Sequence, residues 1–155
     1  MKKILYIDMD NVLVDFPSGI AKLDSATKET YFDNYYDVPG IFSLMEPMKN
    51  AISSFNLLAE KYDTYILSTA PWKNPSAWSD KLLWVKRYLG DNAYKRLIIS
   101  HHKDLNKGDY LIDDREKNGA KDFEGELILF GSDRFMDWNA VKKYLLFDNQ
   151  FNKST

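Results

Sequence analysis

No cysteine occurs among the 155 residues, which excludes disulfides, a thiol nucleophile and Cys-ligated zinc or iron–sulfur sites. Redox logic therefore does not fix the compartment. No apolar run approaches membrane-spanning length. Met1-Lys2-Lys3 leads into a short apolar stretch that ends at Asp8, too brief and too quickly acidic for a signal peptide. Cytoplasmic placement, away from membranes, is the expectation. Charge of one sign is also missing: 21 Lys and Arg stand against 23 Asp and Glu, a net of −2, without the concentrated basic surface that a nucleic acid polymer requires. A small phosphorylated ligand remains compatible. What is present is apolar and aromatic: 45% hydrophobic residues, with four Trp, ten Tyr and nine Phe, a globular composition sufficient for one core. Residues 1–155 are expected to form a single domain.

Five apolar runs read as strands, at about Lys3 to Asp8, Thr64 to Ser68, Arg96 to Ser100, Tyr110 to Asp113 and Glu126 to Phe130. Helical patterns or long loops separate them, the alternation of a parallel sheet. Leu97-Ile98-Ile99 and Leu127-Ile128-Leu129 are apolar at consecutive positions, as expected where helices cover both faces. Asn74-Pro75 opens a helix that Gly90 closes, with Trp78, Leu82, Val85 and Leu89 as its inner stripe. Pro47 is expected to open another, facing inward with Ile52, Phe55, Leu58 and Ala59. Asp137 caps a last one carrying Trp138, Val141 and Leu145. From about 16 to 46 the pattern weakens. Ile20, Leu23 and Thr27 suggest one short helix, followed by the tyrosine-rich 31–37 stretch and a Pro39-Gly40 turn, a small insertion over the sheet edge. Its aromatics suit either a substrate lid or a homodimer contact. Asn149 to Thr155 reads as a frayed tail.

Chemistry gathers where the strand patterns end. The first run stops at Asp8, and Asp10 follows one residue later, two carboxylates delivered to the edge of an open α/β sheet where ligands bind. Such close anions repel, so a hard cation such as Mg²⁺, with one acid as nucleophile and the other moving a proton, is a coherent use. The second run ends in Ser68-Thr69, hydroxyls and N–H groups suited to phosphate oxygens. Lys103 lies three residues beyond the third run, placed to act as a point charge on a transferring phosphoryl group. The fourth ends in Asp113-Asp114, and since successive strand side chains diverge, only one of the two aims squarely at a shared metal. The His101-His102 pair lacks metal-ligand spacing and reads as plain loop. Each element alone has an ordinary structural use. The ordered set of four does not.

That set resembles the haloacid dehalogenase (HAD) superfamily of Mg²⁺-dependent phosphohydrolases, and more narrowly the 5′(3′)-deoxyribonucleotidase family. DMDNVLVDF is similar to that family's DMDGVLADF, RLIISHHK to its RIILTRDK and VPGIFSLMEPM to its APGFFLDLEPI, with GDYLIDDR at the same interval, so the likeness runs from Ile4 to Phe130. The resemblance implies an α/β, HAD-type Rossmann-like parallel sheet with helices on both faces and a small, mainly helical cap inserted at about 16–46. It implies hydrolysis of deoxyribonucleoside monophosphates through an aspartyl-phosphate on Asp8, with Asp10 as general acid and then base. Mg²⁺ would be held by the Asp8 carboxylate, the Asp10 backbone carbonyl and Asp114, with Asp113 in support. Thr69 and Lys103 would bind the phosphoryl oxygens, and Phe16 and Tyr36 would line the nucleoside side. Three positions depart from the pattern: Asn11 stands for a glycine, Ala70 for a serine and His101 for an arginine. Two other readings use the same residues: a phosphatase of this fold acting on another small phosphoester, and a non-catalytic phosphate-binding regulatory module.

Overall fold

Runs of β-branched and aromatic residues set the strands, and each run ends where the side chains turn polar. The computed structural model describes residues 1–148, so the tail expected at 149–155 lies outside the described residues. In chain order the elements are β1 (Ile4–Ile7), β2 (Val14–Asp15), α1 (Phe16–Ala21), α2 (Ser25–Thr30), β3 (Glu46–Pro47), α3 (Ala51–Lys61) and β4 (Asp63–Ser68). Then follow α4 (Pro75–Tyr88), β5 (Leu97–Ile99), β6 (Tyr110–Asp113), β7 (Glu126–Leu129) and α5 (Trp138–Lys143). The five principal strands form one sheet, all parallel, in the order β5-β4-β1-β6-β7. This is the α/β parallel sheet that the sequence predicts. The chain moves outward from β1 through β4 to β5 and then crosses to β6 on the other side. The order thus reverses beside β1, and the crevice beyond the carboxyl ends of β1 and β6 is where such sheets bind ligands.

Helical cover on the two faces is unequal. Leu5, Ile7, Ile66, Ile112 and Ile128 pack with Phe55 and Leu58 of α3, Trp84 and Val85 of α4, and Trp138 and Val141 of α5. On the opposite face Tyr6, Leu67 and Leu111 meet Ala120 and Phe123, at a single 3₁₀ turn spanning Ala120–Asp122.

Two helices differ from expectation. Pro47 does not open α3; it sits in β3 opposite Val14, and the next residue, Met48, donates its N–H to the Leu13 carbonyl. The helix starts only after Asn50, held at φ 65°. In α4 the buried residues are Ala77, Lys81, Trp84 and Val85, whereas Trp78 and Leu82 are 37% and 43% exposed. Val85 and, just past the helix, Leu89 are buried as expected, but the rest of the inner face turns from Trp78 and Leu82 to Ala77, Lys81 and Trp84. Two polar anchors set that turn. The Trp84 indole N–H donates to the Met45 carbonyl at 3.1 Å, and the Lys81 ammonium reaches Asp10.

Residues 16–46 hold two short helices where the sequence suggests one, because the Asp24 side chain accepts from the Thr27 N–H and starts α2 afresh. Two 3₁₀ turns follow, Tyr35–Asp37 and Ile41–Ser43, with Gly40 between them at φ 80°. The segment is fastened to the amino end of α4. Asn74 spends its amide on the Tyr36 and Val38 carbonyls, at 2.8 and 2.9 Å, rather than capping the helix, and Ser76 accepts from the Gly40 N–H.

Candidate active site

Backbone pairing carries β1 one residue further, since the Asp8 N–H donates to the Ile112 carbonyl at 2.9 Å. The chain then wraps on itself. The N–H groups of Val12, Leu13 and Val14 all donate to the Met9 carbonyl, and Asn11 adopts φ 60° at the tip, a conformation that asparagine tolerates better than most residues. Trp138 pins this turn from α5 through a 2.8 Å bond from its indole N–H to the Val12 carbonyl. Asp8 and Asp10 are both buried as a result.

Lys103 begins a 3₁₀ turn beyond β5 and is 3% exposed. Its ammonium donates to Asp8 Oδ1 at 3.0 Å and to Asp113 Oδ2 at 2.5 Å. The backbone beneath it is close-packed: the Lys103 N–H donates to the Asn118 carbonyl, and Gly119, at φ 83°, lies against the Lys103 nitrogen where a Cβ would sit 3.0 Å away. Asp113 turns its other oxygen to the Arg115 N–H. Burial works against the Lys103 ammonium, but the carboxylates of Asp8 and Asp113 outweigh it and raise its pKa.

Asp8, Asp113 and Asp114 each offer an oxygen within 4.8 Å of the others. Burial first, and the Asp8 charge second, push the Asp113 carboxyl up to about 6 and the Asp114 carboxyl up to about 7. Asp114 Oδ1 is buried and has no hydrogen-bond partner among the described residues. One ammonium bonds two of these three acids, Asp8 and Asp113, and Arg115 opposes the third only weakly, so the group is short of positive charge. A hard, all-oxygen donor set of this kind fits Mg²⁺ better than a softer metal. The Asp10 carboxyl lies outside this trio, turned to Lys81. Burial is also the main cause that raises the Asp10 pKa, against the opposing charge of Lys81.

The remaining expected residues are placed as follows. The Thr69 hydroxyl donates to the Ser100 carbonyl at 2.7 Å, joining the ends of β4 and β5. Tyr36 borders the acids: its pKa is raised chiefly by burial, Arg115 lowers it, and Asp10, Asp114 and Asp8 raise it further. Phe16 is only 5% exposed and stacks behind Tyr36 at 4.3 Å and against Phe42 at 5.9 Å. His101 lies between the rings of Trp72 and Trp78, at 5.8 and 6.0 Å, consistent with a loop side chain rather than a metal ligand.

Sequence reasoning missed Lys81. Its ammonium bonds Asp10 Oδ2 at 3.0 Å and Ser68 Oγ at 2.8 Å and lies 4.5 Å above the Phe42 ring. A signal existed: Ala77, Lys81, Val85 and Tyr88 form one helical row in which a lysine interrupts small and apolar residues.

Comparison with known proteins bears directly on this geometry. Residues 21–143 match the family model described as 5′ nucleotidase, deoxy (pyrimidine), cytosolic type C protein. The chain belongs to this family. A protein of Vibrio phage KVP40, provisionally named a 5′(3′)-deoxyribonucleotidase, is 60% identical over 149 residues, covering 96% of this chain and 88% of its own length. The 5′(3′)-deoxyribonucleotidase of Bacillus subtilis is 26% identical over 177 residues, covering 94% of this chain and all of its own. Among solved structures, a haloacid dehalogenase-like hydrolase of Streptococcus pneumoniae superposes with a TM-score of 0.55 at 14% identity, covering 92% of this chain and 90% of that one. It is similar in fold. The family match spans Thr69, Lys103, Asp113 and Asp114, and the phage relative extends over nearly the whole chain. Hydrolysis of phosphoric monoesters is the class of chemistry that follows from membership. Among the described residues no helix is long and apolar enough to cross a membrane.

Proposed function

We propose that this nucleotidase-family chain is a Mg²⁺-dependent phosphomonoesterase that hydrolyses deoxyribonucleoside monophosphates through a phosphorylated Asp8. The observation that carries the reading is the convergence of Asp8, Lys103, Asp113 and Asp114 at one rim, with the Asp10 carboxyl beside them. An Asp8 oxygen attacks phosphorus, and the bond from phosphorus to the ester oxygen breaks. Asp10, whose pKa burial raises, gives a proton to the departing ester oxygen. In the second step it takes a proton from water, which attacks phosphorus, releases phosphate and frees Asp8.

Lys103 neutralises charge on the transferring group while Asp113 holds its ammonium in place. The N–H groups at Thr69 and Ala70 receive phosphoryl oxygens at the end of β4. Asp8, the Asp10 backbone carbonyl and Asp114 would hold Mg²⁺, which when bound offsets the negative charge of the phosphoryl oxygens and of the acids. Residues 16–46 form a small cap, with Tyr36 toward the nucleoside and Phe16 behind it. The names of the phage and Bacillus relatives favour a deoxyribonucleotide over other phosphoesters.

The test is phosphate release from dUMP, dTMP and a panel of sugar and aryl phosphates, with and without Mg²⁺. Release from the nucleotides is expected to need the ion and to vanish in Asp8→Asn. Turnover of sugar phosphates alone removes the nucleotide assignment, and calorimetric nucleotide binding without turnover of any ester removes the enzymatic one.

A further inference from the structure

Lys81 is 0% exposed, on the inner face of α4, among Ala77, Trp84 and Val85. Withdrawing an ammonium from water is expensive, and a Met or Leu would fill the same space without that expense, so packing alone does not account for a lysine here. Its three partners come from three parts of the chain: Asp10 after β1, Ser68 at the end of β4, and the Phe42 ring in the 16–46 segment. An ammonium has three donors and no acceptor. It can therefore bond an Asp10 oxygen only where that oxygen accepts, whether the carboxyl is ionised or neutral. The oxygen it takes is Oδ2; Oδ1 is buried and has no partner among the described residues.

We infer that Lys81 is the positioning residue for the proton-transfer group: it claims Oδ2, so that the transferable proton of Asp10 resides on Oδ1, and Ser68 and Phe42 fix the ammonium that enforces this choice. This rests on the reading of Asp10 as general acid. Without Lys81 the carboxyl rotates and exchanges its two oxygens, and a proton is delivered from the correct atom and direction only part of the time. Phe42 also links the arrangement to the segment that carries Tyr36, so the position of the acid and the position of the cap are set by one side chain.

A positioned acid matters in proportion to how badly the leaving group needs a proton. An alkoxide needs one; a nitrophenolate hardly does. The experiment therefore compares kcat/KM, which reports the formation of phospho-Asp8, for dUMP and for p-nitrophenyl phosphate in Mg²⁺-loaded wild type, Lys81→Met and Ser68→Ala. Lys81→Met is expected to lose about 100-fold on dUMP and less than about 10-fold on p-nitrophenyl phosphate, the span that general acid catalysis covers. Ser68→Ala loosens the ammonium without removing it, and is expected to show the same selectivity in a loss of about 3- to 10-fold, which decides the matter if Lys81→Met does not fold. Equal losses on both esters, or no loss on dUMP, overturn the role. Asp10→Asn is run in parallel. If it shows no dependence on the leaving group, the general-acid reading itself fails, and the Lys81 variants are not what refutes it.

Discussion

Replacing Lys103 with Met separates the two cations that the acids of this site call for. The ammonium is almost wholly buried between Asp8 and Asp113, at 3.0 and 2.5 Å, and Asp114 adds a third acid whose oxygens lie within 4.8 Å of the others. Methionine matches the stem in volume, so little of the loss is packing. What remains is the buried Asp8 and Asp113, with the half-buried Asp114 beside them, stripped of the ammonium that bonded the first two, and breaking a buried pair from one side costs about 3–5 kcal/mol. That full penalty is expected in urea melts of Lys103→Met at pH 8 in EDTA. Lowering the pH should shrink it, because the acids escape by taking up protons. Saturating Mg²⁺ should also shrink it, to below about 2 kcal/mol, because the ion supplies the charge that lysine no longer does and binds the folded state alone. Activity with Mg²⁺ is nonetheless expected to fall by about 10²–10³-fold, the usual effect of removing one fixed donor from a developing oxyanion. A penalty of equal size in EDTA and in Mg²⁺ would refute the idea that one deficit of charge is shared by lysine and metal. So would a variant with wild-type turnover.

Other outcomes follow from the same geometry. Asp113 and Asp114, at about 6 and about 7, bind protons in the folded apo state that their unfolded counterparts have released. These groups therefore make apo stability fall as pH rises from about 4 to about 7. The same protons compete with the ion, so calorimetric Mg²⁺ affinity should weaken as pH drops through 7, with proton release on binding that depends on buffer ionisation heat. Asp114→Asn should weaken Mg²⁺ binding at least about 10-fold in the same titration while leaving the fold intact by circular dichroism. Trp138→Phe removes the donor to the Val12 carbonyl and should cost about 1–3 kcal/mol in denaturant melts, with a larger effect on kcat than on thermal midpoint because the turn bearing Asp8 and Asp10 loosens. Gly119→Ala should destabilise and lower activity together, since its Cβ meets the Lys103 backbone nitrogen at a φ of 83°.

The strands were legible because a parallel strand buried on both faces is a plain apolar run with a polar end, as in Tyr110-Leu111-Ile112-Asp113. For the same reason the acids at those ends could be picked out before their mutual distances were known. Helix starts were harder. Pro47 carries the usual mark of a first turn, yet its pairing with Val14 across the sequence overrides the local preference. Val85 and Leu89 of the α4 stripe are buried as expected, but Trp78 and Leu82 were misassigned because they look more hydrophobic than Lys81, and periodicity counts a lysine as solvated. Tertiary partners account for the buried ammonium: Asp10, 71 residues away, with Ser68 and the Phe42 ring. Phe16 shows a further limit: its place in the motif is legible, but its ring contact with Tyr36, twenty residues on, appears only in the fold.

Phosphorylation of Asp8 is the step on which the proposed reaction turns, and the phosphorylated enzyme can be trapped. Asp10→Asn should still be phosphorylated by p-nitrophenyl phosphate, whose leaving group needs no acid, but should discharge slowly for lack of a base. After a single turnover with Mg²⁺ and an acid quench, peptide mass spectrometry is expected to find phosphate on Asp8 in Asp10→Asn and none in Asp8→Asn. Release of nitrophenolate by Asp10→Asn in an amount equal to the enzyme, with Asp8 unmodified throughout, would rule out Asp8 as the nucleophile.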